Sequence, residues 1–497
     1  MLSREAMGRM VILQLWMLSS LLFGARNLPG QPVESSLLAE NAALFYGSSV
    51  ALDGKRAVVG SRCKAHIFEQ SNAEWVETAT LPNETPCFER DSGGFSEFGS
   101  SVSLDDDWLA VGAPGTPVTV PGAVYLYQWD GLQWVQSAHL VAPDSARGDL
   151  FGFSVSLEED RLVVGAPESH IDARRGAVYV FERDGSAWLE VAKLTPDPSS
   201  PAHFGSRVSL NGDRFVVAGV DTVHFNGVAY VFEGEGAQWN KVGELVASDG
   251  GFADAFGRSV SVDGDRIVVG APGLDPPERP SAAYVFEPVE SEWVETAKLT
   301  LDDPAVHFFG SSVVVKGETL VVGRRSTCFV HGAVYLYTWD GEGWMEVDQL
   351  GPSMPAPGQG FGASTDFDGE QVIAGAPGTD SCGGLVFGAA YVYKGFVEAT
   401  ALEQATEGVP AGYALHANYP NPFHSTTTIA FDIPTPGHAT LTVYDALGRV
   451  VQTLESGFFV PGRYETRWDA SGFPGGLYLC RLQADSYLYA RRLILLK

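Results

Sequence analysis

Lysine is scarce in this chain. Of its 497 residues 32 are basic, eight of them lysine, while 61 are Asp or Glu, for a formal net charge of −29. A basic deficit of that size argues against a nucleic-acid partner, which needs clustered Lys and Arg. The acid is spread rather than gathered into runs. That suits a solvated, self-repelling exported surface or, more narrowly, a salty medium. Cysteine is sparse too, at five, and no Cys-x-x-Cys spacing points to zinc. Long apolar runs are absent beyond the N-terminus. There Arg4 and Arg9 precede an apolar stretch from Val11 to Ala25 that Gln14, Ser19 and Ser20 interrupt. It is too short and too broken for a spanning helix and reads as a signal peptide over 1–25. No other segment is long enough to cross a bilayer as a helix. Also missing are His-Glu-x-x-His, Gly-x-Ser-x-Gly and any repeated carboxylate pair outside turns. Gly358-x-Gly360-x-Gly362 has the spacing of a nucleotide loop but precedes a strand instead of a helix.

What the chain has is glycine (57), proline (29) and a period. Phe98-Gly99, Phe151-Gly152, Phe204-Gly205, Phe256-Gly257, Phe309-Gly310 and Phe361-Gly362 recur every 52–53 residues, with Tyr46-Gly47 as a seventh member. A fixed period of that length indicates stacked supersecondary units, propeller blades first among them. In the fifth repeat Ser259-Val260-Ser261-Val262 alternates like a half-buried strand. Asp263-Gly264-Asp265 is a hairpin turn. Arg266–Gly270 is apolar enough for a strand covered on both faces, and Ala271-Pro272 ends it. Ala283–Phe286 and Trp293–Leu299 complete four antiparallel strands, one blade. Trp75, Trp134, Trp188, Trp239, Trp293 and Trp344 open the fourth strand, with Phe396 in that place in the seventh repeat. Tyr125, Tyr179, Tyr230, Tyr284, Tyr335 and Tyr391 mark the third strand, and His66 stands at that register in the first repeat. Large aromatics repeated at one register are blade-packing residues.

These units resemble the FG-GAP repeat of the integrin-α-like β-propeller over residues 33–402. Gly-Ala-Pro is intact at 112–114, 165–167, 270–272 and 375–377 and has decayed at Gly60-Ser61-Arg62, Ala218-Gly219-Val220 and Gly323-Arg324-Arg325. The resemblance implies seven four-stranded blades. Val33–Leu38 and Phe396–Leu402 compete to supply the last strand of blade 7. Many FG-GAP repeats carry a calcium loop between their first two strands. Here that link is a short turn, too small to supply six to eight oxygens. Asp105-Asp106-Asp107 and Asp366-Phe367-Asp368 with Glu370 are the nearest approaches, so no cofactor is expected beyond weak calcium.

Links after strands two and four are long and lie on one face, where binding normally sits. Candidate ligand residues there are His170, Asp172, Arg174, Arg175, Asp221, His224, Arg324, Arg325, His331 and Asp380, set against the plainer reading of exposed loop polarity. Arg147-Gly148-Asp149 is on that face as well, but a chance triplet in a turn needs no function. Cys63 with Cys87, and Cys328 with Cys382, fall in loops able to reach one another, and export brings oxidising conditions, so two disulfides are expected. Cys480 is left as a buried thiol.

After a linker over 403–417 come Asn418-Tyr419-Pro420-Asn421-Pro422-Phe423, Tyr444-Asp445 with Gly448-Arg449, and Arg491-Arg492-Leu493-Ile494-Leu495-Leu496-Lys497. Alternating short strands over 418–497 indicate a small Ig-like β-sandwich. The stretch resembles the C-terminal sorting domain of type A cargo of the type IX secretion system. That resemblance implies a Bacteroidota-like host, the type IX machinery as partner, and a secreted or outer-surface location. The whole is expected to be an all-β, non-enzymatic binding or adhesion protein for a glycan, matrix or protein ligand. A structural surface-layer spacer, or a secreted hydrolase or lyase working at the propeller channel, are the alternatives.

Overall fold

Alternation sets the inner strand of each unit: Val260 and Val262 face away from Ser259 and Ser261 along Ser259–Asp263. Gly264, at φ +53°, turns the chain into Arg266–Ala271, whose Ile267, Val268 and Val269 are fully buried. Ala282–Val289 and Glu292–Leu299 follow, each strand antiparallel to the last. The computed structural model describes residues 32–39, 45–72, 74–82, 97–115, 121–143, 148–167, 176–196, 203–220, 227–273, 280–301, 307–327, 331–353, 358–378, 388–396, 412–416, 418, 420–435, 437–445, 449–459, 461–484 and 487–496. Within them this plan occurs in seven four-stranded sheets, and every regular element is a strand. The inner strand of each sheet packs on that of the next, from Ser49–Asp53 through Ser364–Phe367 and back to Ser49–Asp53. Seven sheets joined in a ring by their innermost strands make a β-propeller.

The last sheet contains both ends of the ring. Val33–Leu37 pairs with Ala389–Lys394, Val33 opposite Lys394 and Leu37 opposite Ala390. Of the two competing segments, the N-terminal one therefore holds the fourth place in blade 7. Phe396 is not on that strand, contrary to the sequence expectation. It follows Ala389–Lys394 and packs 5.9 Å from Phe367. The edge beside Ala389–Lys394 is already filled, which leaves no ladder for Phe396 to join.

Phe-Gly recurs because each blade solves one packing problem. Phe98, Phe151, Phe204, Phe256, Phe309 and Phe361 are at most 1% exposed and set their edges against the third-strand tyrosines, as Phe256 does on Tyr284 at 5.6 Å. Burying one such ring contributes about 1.5–3 kcal/mol. The glycine after each ring adopts a positive φ of 82–93°. Its carbonyl presses on the second-strand glycine of the preceding blade: a Cβ on Gly270 would stand 2.1 Å from Gly310 O. Two serines then latch neighbouring blades. Ser259 Oγ donates to Gly310 O at 2.9 Å, and Ser261 Oγ accepts from Val315 N at 3.0 Å.

A second latch lies at the rim of the opposite face. Arg56, Arg161, Arg214 and Arg266 open second strands and reach the next blade. Arg214 sits 4.8 Å over Trp293, and Arg266 sits 5.2 Å over Trp344. Between blades 2 and 3 the partners are exchanged: Trp108 takes the arginine's place and Arg183 lies over it at 4.8 Å. The tryptophans are thus less uniform than core residues. Trp134, Trp188 and Trp239 are buried, but Trp75, Trp293 and Trp344 are half-buried. They stand on outer strands, where a guanidinium rather than another sheet covers the rings of Trp134, Trp239, Trp293 and Trp344.

Beyond the ring, Ala414–Leu415, Thr426–Ile433 and Gly462–Asp469 form one sheet. Gly437–Asp445, Val450–Phe459, Gly476–Ala484 and Tyr487–Leu495 form the other, around a core centred on Trp468, Phe423, Phe431 and Leu441. Leu415, 2% exposed, belongs to that core, so the sandwich recruits residues upstream of 418.

Candidate functional site

Chain direction divides the faces. The first-to-second-strand links are short turns, while links after strands two and four, such as 246–258 and 272–281, gather on the Phe-Gly side. His170, Asp172, Arg174, Arg175, Asp221, His224 and Asp380 lie outside the described residues, as do Arg147 and the signal-peptide stretch. So do Cys87, Cys328 and Cys382. Cys63, at φ +88°, is disulfide-bonded, and its N–H donates to Phe98 O at 2.8 Å.

Arg324, Arg325 and His331 are described, and their roles differ. Arg324 Nη2 donates to His331 O at 2.7 Å and its guanidinium lies 5.8 Å from the Tyr335 ring, so it braces its own loop. His331 contributes a backbone carbonyl and keeps an exposed side chain. Arg325 stacks 5.2 Å over Phe308 and points toward other cations.

Those cations are Arg207 and Arg258, which the loop-centred reading of the sequence missed. Both stand at the start of inner strands, at the mouth of the channel. Two positions after the Phe-Gly glycine the repeats carry Ser49, Ser101, Ser154, Ser259, Ser312 and Ser364, but Arg207 in blade 4. One position after it stand Ser48, Ser100, Ser206 and Ser311, but Phe153 in blade 3, Arg258 in blade 5 and Ala363 in blade 7. The break in the serine pattern was the available signal. Arg207 lies 5.4 Å over Phe153 and donates from Nη1 to Ser206 O at 2.6 Å. Burial, with Arg258 beside it, pulls its guanidinium down to about 9. Arg258 is pulled down by the surrounding protein and by Arg325, although its surface opens to the channel, and Arg325 by burial. No carboxylate pairs with any of the three among the described residues.

The blade 4–5 seam is altered to fit. Ala218 replaces the second-strand glycine opposite Arg207. A Cβ on Gly257 would meet Ala218 Cβ at 3.1 Å and Val228 O at 3.6 Å, whereas on Gly310 it would meet Ala282 O at 2.4 Å. The Phe-Gly glycine of blade 5 thus stands off from blade 4, making room for a guanidinium.

Other polar groups are already used. Asp249 accepts from Lys298 Nζ at 2.6 Å and Tyr284 Oη at 2.9 Å, and the lysine contact holds its carboxyl below the usual range. Asp254, beside it in a small recess, accepts from Gly251 N and Phe256 N. The carboxylates nearest a calcium loop also serve the backbone. Asp105 accepts from Glu159 N, Asp366 from Leu52 N, and Asp368 from Glu370 N and Gln371 N. His66 is buried, 2.8 Å from Glu77, and desolvation lowers its imidazole below the usual value.

In the sandwich, the Asn-rich opening is tied to the last strand. Asn421 Nδ2 donates to Arg492 O at 3.0 Å and Asn421 Oδ1 accepts from Ile494 N at 2.9 Å. Phe423 packs 5.6 Å from Trp468. Asp445 and Arg449 close a turn, Nε to Oδ2 at 2.7 Å. Cys480 is a free thiol, fully buried, and burial pushes it up to about 12.

Comparison with known proteins fits this geometry. The FG-GAP repeat family matches at 89–127, 134–181, 239–286 and 293–337, and the secretion system C-terminal sorting domain matches at 417–496. Integrin alpha-7 of Rattus norvegicus is 26% identical over 36% of this chain, and the match spans 18% of that protein's own length. Among solved structures, PorZ, a surface component of the type IX secretion system of Porphyromonas gingivalis, is 12% identical. That match covers 93% of this chain and 61% of PorZ, with a TM-score of 0.45. A functionally unknown protein from Desulfotomaculum acetoxidans is also 12% identical, covering 59% of this chain and 83% of its own, with a TM-score of 0.38. No helix among the described residues is long and apolar enough to cross a membrane. The chain carries FG-GAP repeats and a secretion system C-terminal sorting domain, all-β in its described residues, and the sorting domain indicates export by the type IX route to the cell surface or the medium.

Proposed function

We propose that this is a binding or adhesion protein whose propeller presents its long-loop face to an extracellular glycan, matrix component or protein, while the tail serves as its export address. The division of labour is a signal peptide over 1–25, a propeller over 33–402, a linker from 403 and a sorting sandwich that takes in Ala414–Leu415 and continues over 418–497. One observation carries the binding reading: Arg207 and Arg258 at the start of neighbouring inner strands, with Arg325 on the next blade, crowd the channel mouth of that face without an acidic partner among the described residues. A spacer with no ligand has no use for three like charges crowded together, two of them half-buried and one open to the channel, because their mutual repulsion costs folding energy. The chemistry there is cationic and aromatic, which favours the reading of a receptor. His170, Asp172, Arg174, Arg175, Asp221, His224 and Asp380 belong to the links of the same face and would contact the rim of a ligand. Cys63 is expected to pair with Cys87, and Cys328 with Cys382, fastening two of those links.

The test is a panel of glycans and host-surface extracts probed with the full chain, with calcium and with chelator. Saturable binding weakened by Arg325→Ala supports the reading. Absence of binding across the panel transfers it to a structural surface protein. Chelator sensitivity would mean that a calcium site contributes after all.

A further inference from the structure

We propose that the channel mouth between blades 3 and 6 is a site for one oxyanionic group, a carboxylate, sulfate or phosphate, held by Arg207, Arg258 and Arg325 and carried on an otherwise weakly charged ligand. This rests on the reading of the long-loop face as the binding face and names the chemistry it selects.

The repeats themselves supply the baseline. At the two positions after the Phe-Gly glycine, sister blades use mostly serine, and at the second of them the hydroxyl latches blade to blade, as Ser312 Oγ does on Gly362 O at 3.1 Å. Adjacent blades 4 and 5 give up serine for arginine, and blade 4 gives up its latch in doing so. Blade 6 adds Arg325 where intact repeats have proline, as at Pro272. Three cations drawn from three consecutive blades repel one another.

Acidic residues outnumber basic ones 61 to 32, so a counter-charge was readily available. Elsewhere it is used: Arg266 meets Glu287 at 2.7 Å, Arg214 meets Glu233 at 2.6 Å and Arg463 meets Asp432 at 2.8 Å. Among the described residues the channel-mouth cations have no such partner. Their flanks are aromatic instead, Phe153 under Arg207 and Phe308 under Arg325. A stacked guanidinium keeps its N–H edge free for bidentate contact with an oxyanion. A carboxylate, sulfate or phosphate oxygen set would supply the missing charge. The net charge of −29 limits the rest of the ligand. A polyanion is repelled by the surrounding surface, whereas a single oxyanion reaching into the mouth meets the local positive field within a Debye length of about 8 Å.

The full chain is titrated with sodium acetate, sulfate or phosphate at ionic strength held constant with chloride, and read by thermal unfolding and calorimetry. Arg207→Ser and Arg258→Ser restore the residue that sister blades carry, so both are expected to fold. The expected result is an oxyanion-dependent rise in Tm for the wild type that exceeds the chloride control. Each variant should lose at least tenfold in affinity, and Arg207→Ser should unfold at a higher temperature than the wild type when no oxyanion is present. General salting effects act on wild type and variants alike. An equal rise in all three proteins, or none in the wild type, overturns the proposal. Comparing the three anions, then terminally carboxylated and sulfated oligosaccharides with a phosphorylated sugar, identifies the source of the group. Oxyanion binding with no macromolecular ligand leaves the site standing and removes the adhesion reading. Macromolecular binding unchanged in Arg207→Ser and Arg258→Ser does the reverse.

Discussion

Removing one rim latch should measure how the ring is held. Arg266→Ala is the chosen change because each of its contacts is defined. The guanidinium lies 5.2 Å from the Trp344 ring and 5.7 Å from Trp339, donates from Nη1 to Gly317 O at 2.7 Å, and donates from Nε to Glu287 at 2.7 Å. A cation–π contact at a partly covered site contributes about 0.5–1 kcal/mol. The bond to the carbonyl adds about 1 kcal/mol. The ion pair, whose side chains are 20% and 26% exposed, is screened and adds at most about 0.5–1 kcal/mol. Loss of about 2–3 kcal/mol is expected, since two contacts across the blade 5–6 seam and the ion pair within blade 5 that orients the guanidinium go together. Urea unfolding followed by tryptophan fluorescence supplies the total, and a cycle with Trp344→Leu isolates a coupling of about 0.5–1 kcal/mol. Arg266→Lys keeps the charge but not the planar fork and should recover less than half of the loss. A change below about 0.5 kcal/mol, or zero coupling to Trp344, would refute the claim that these arginines staple the blades. The seams after blades 6 and 7 carry Thr319 and Gln371 at this position. Amide exchange should therefore reach the inner strands around blades 6, 7 and 1 before those of blades 3 to 5.

Gly270→Ala drives a Cβ into Gly310 O, a backbone atom that cannot swing away, and should cost about 3 kcal/mol or more, or prevent folding, in the same urea assay. In blade 7 Asp366 holds the place of the inner-strand serine latch, and burial pushes its carboxyl up to about 6, above its unfolded value. A raised acid favours the folded state while protonated, and that advantage is lost as pH rises through about 6. Asp366→Ser should thus be more stable than the wild type at pH 8, with the difference closing toward pH 4; a pH-independent difference would count against burial as the cause. Asn421→Ala removes two hydrogen bonds to the last strand of the sandwich and should cost about 1–2 kcal/mol of its stability, read from the second transition in calorimetry.

Much of the fold was legible because a ring repeats one solution. Phe-Gly, the third-strand tyrosines and the two-residue turns each mark a position that every blade must fill the same way, so the pattern rises above local variation. The closing strand was harder. Val33–Leu38 and Phe396–Leu402 have similar apolar character, and only pairing with Ala389–Lys394 separates them. The tryptophans looked like uniform core, yet a side chain on an outer strand depends on the neighbour that covers it, and the covering Arg266 lies in another repeat. The site was least legible. Loop residues such as His170 and Arg174 attract notice because they are polar and variable. Arg207 and Arg258 lie at the onset of strands in an otherwise apolar setting, and they become visible when the seven repeats are set against one another and the missing serines are counted.

The pairing of Val33–Leu37 with Ala389–Lys394 fixes an order of events. A strand from the beginning of the chain cannot take its place until some 350 residues later have been made, so the ring cannot lock on the ribosome while its seventh sheet is still unmade. Until that moment the nascent propeller has a frayed side, with the outer edge of Ala389–Lys394 unpaired and the five residues from Val33 to Leu37 unplaced. Contacts of such long range form slowly. Once shut, the lock resists fraying from either end of the ring, because the strand at one end is paired with a strand supplied by the other.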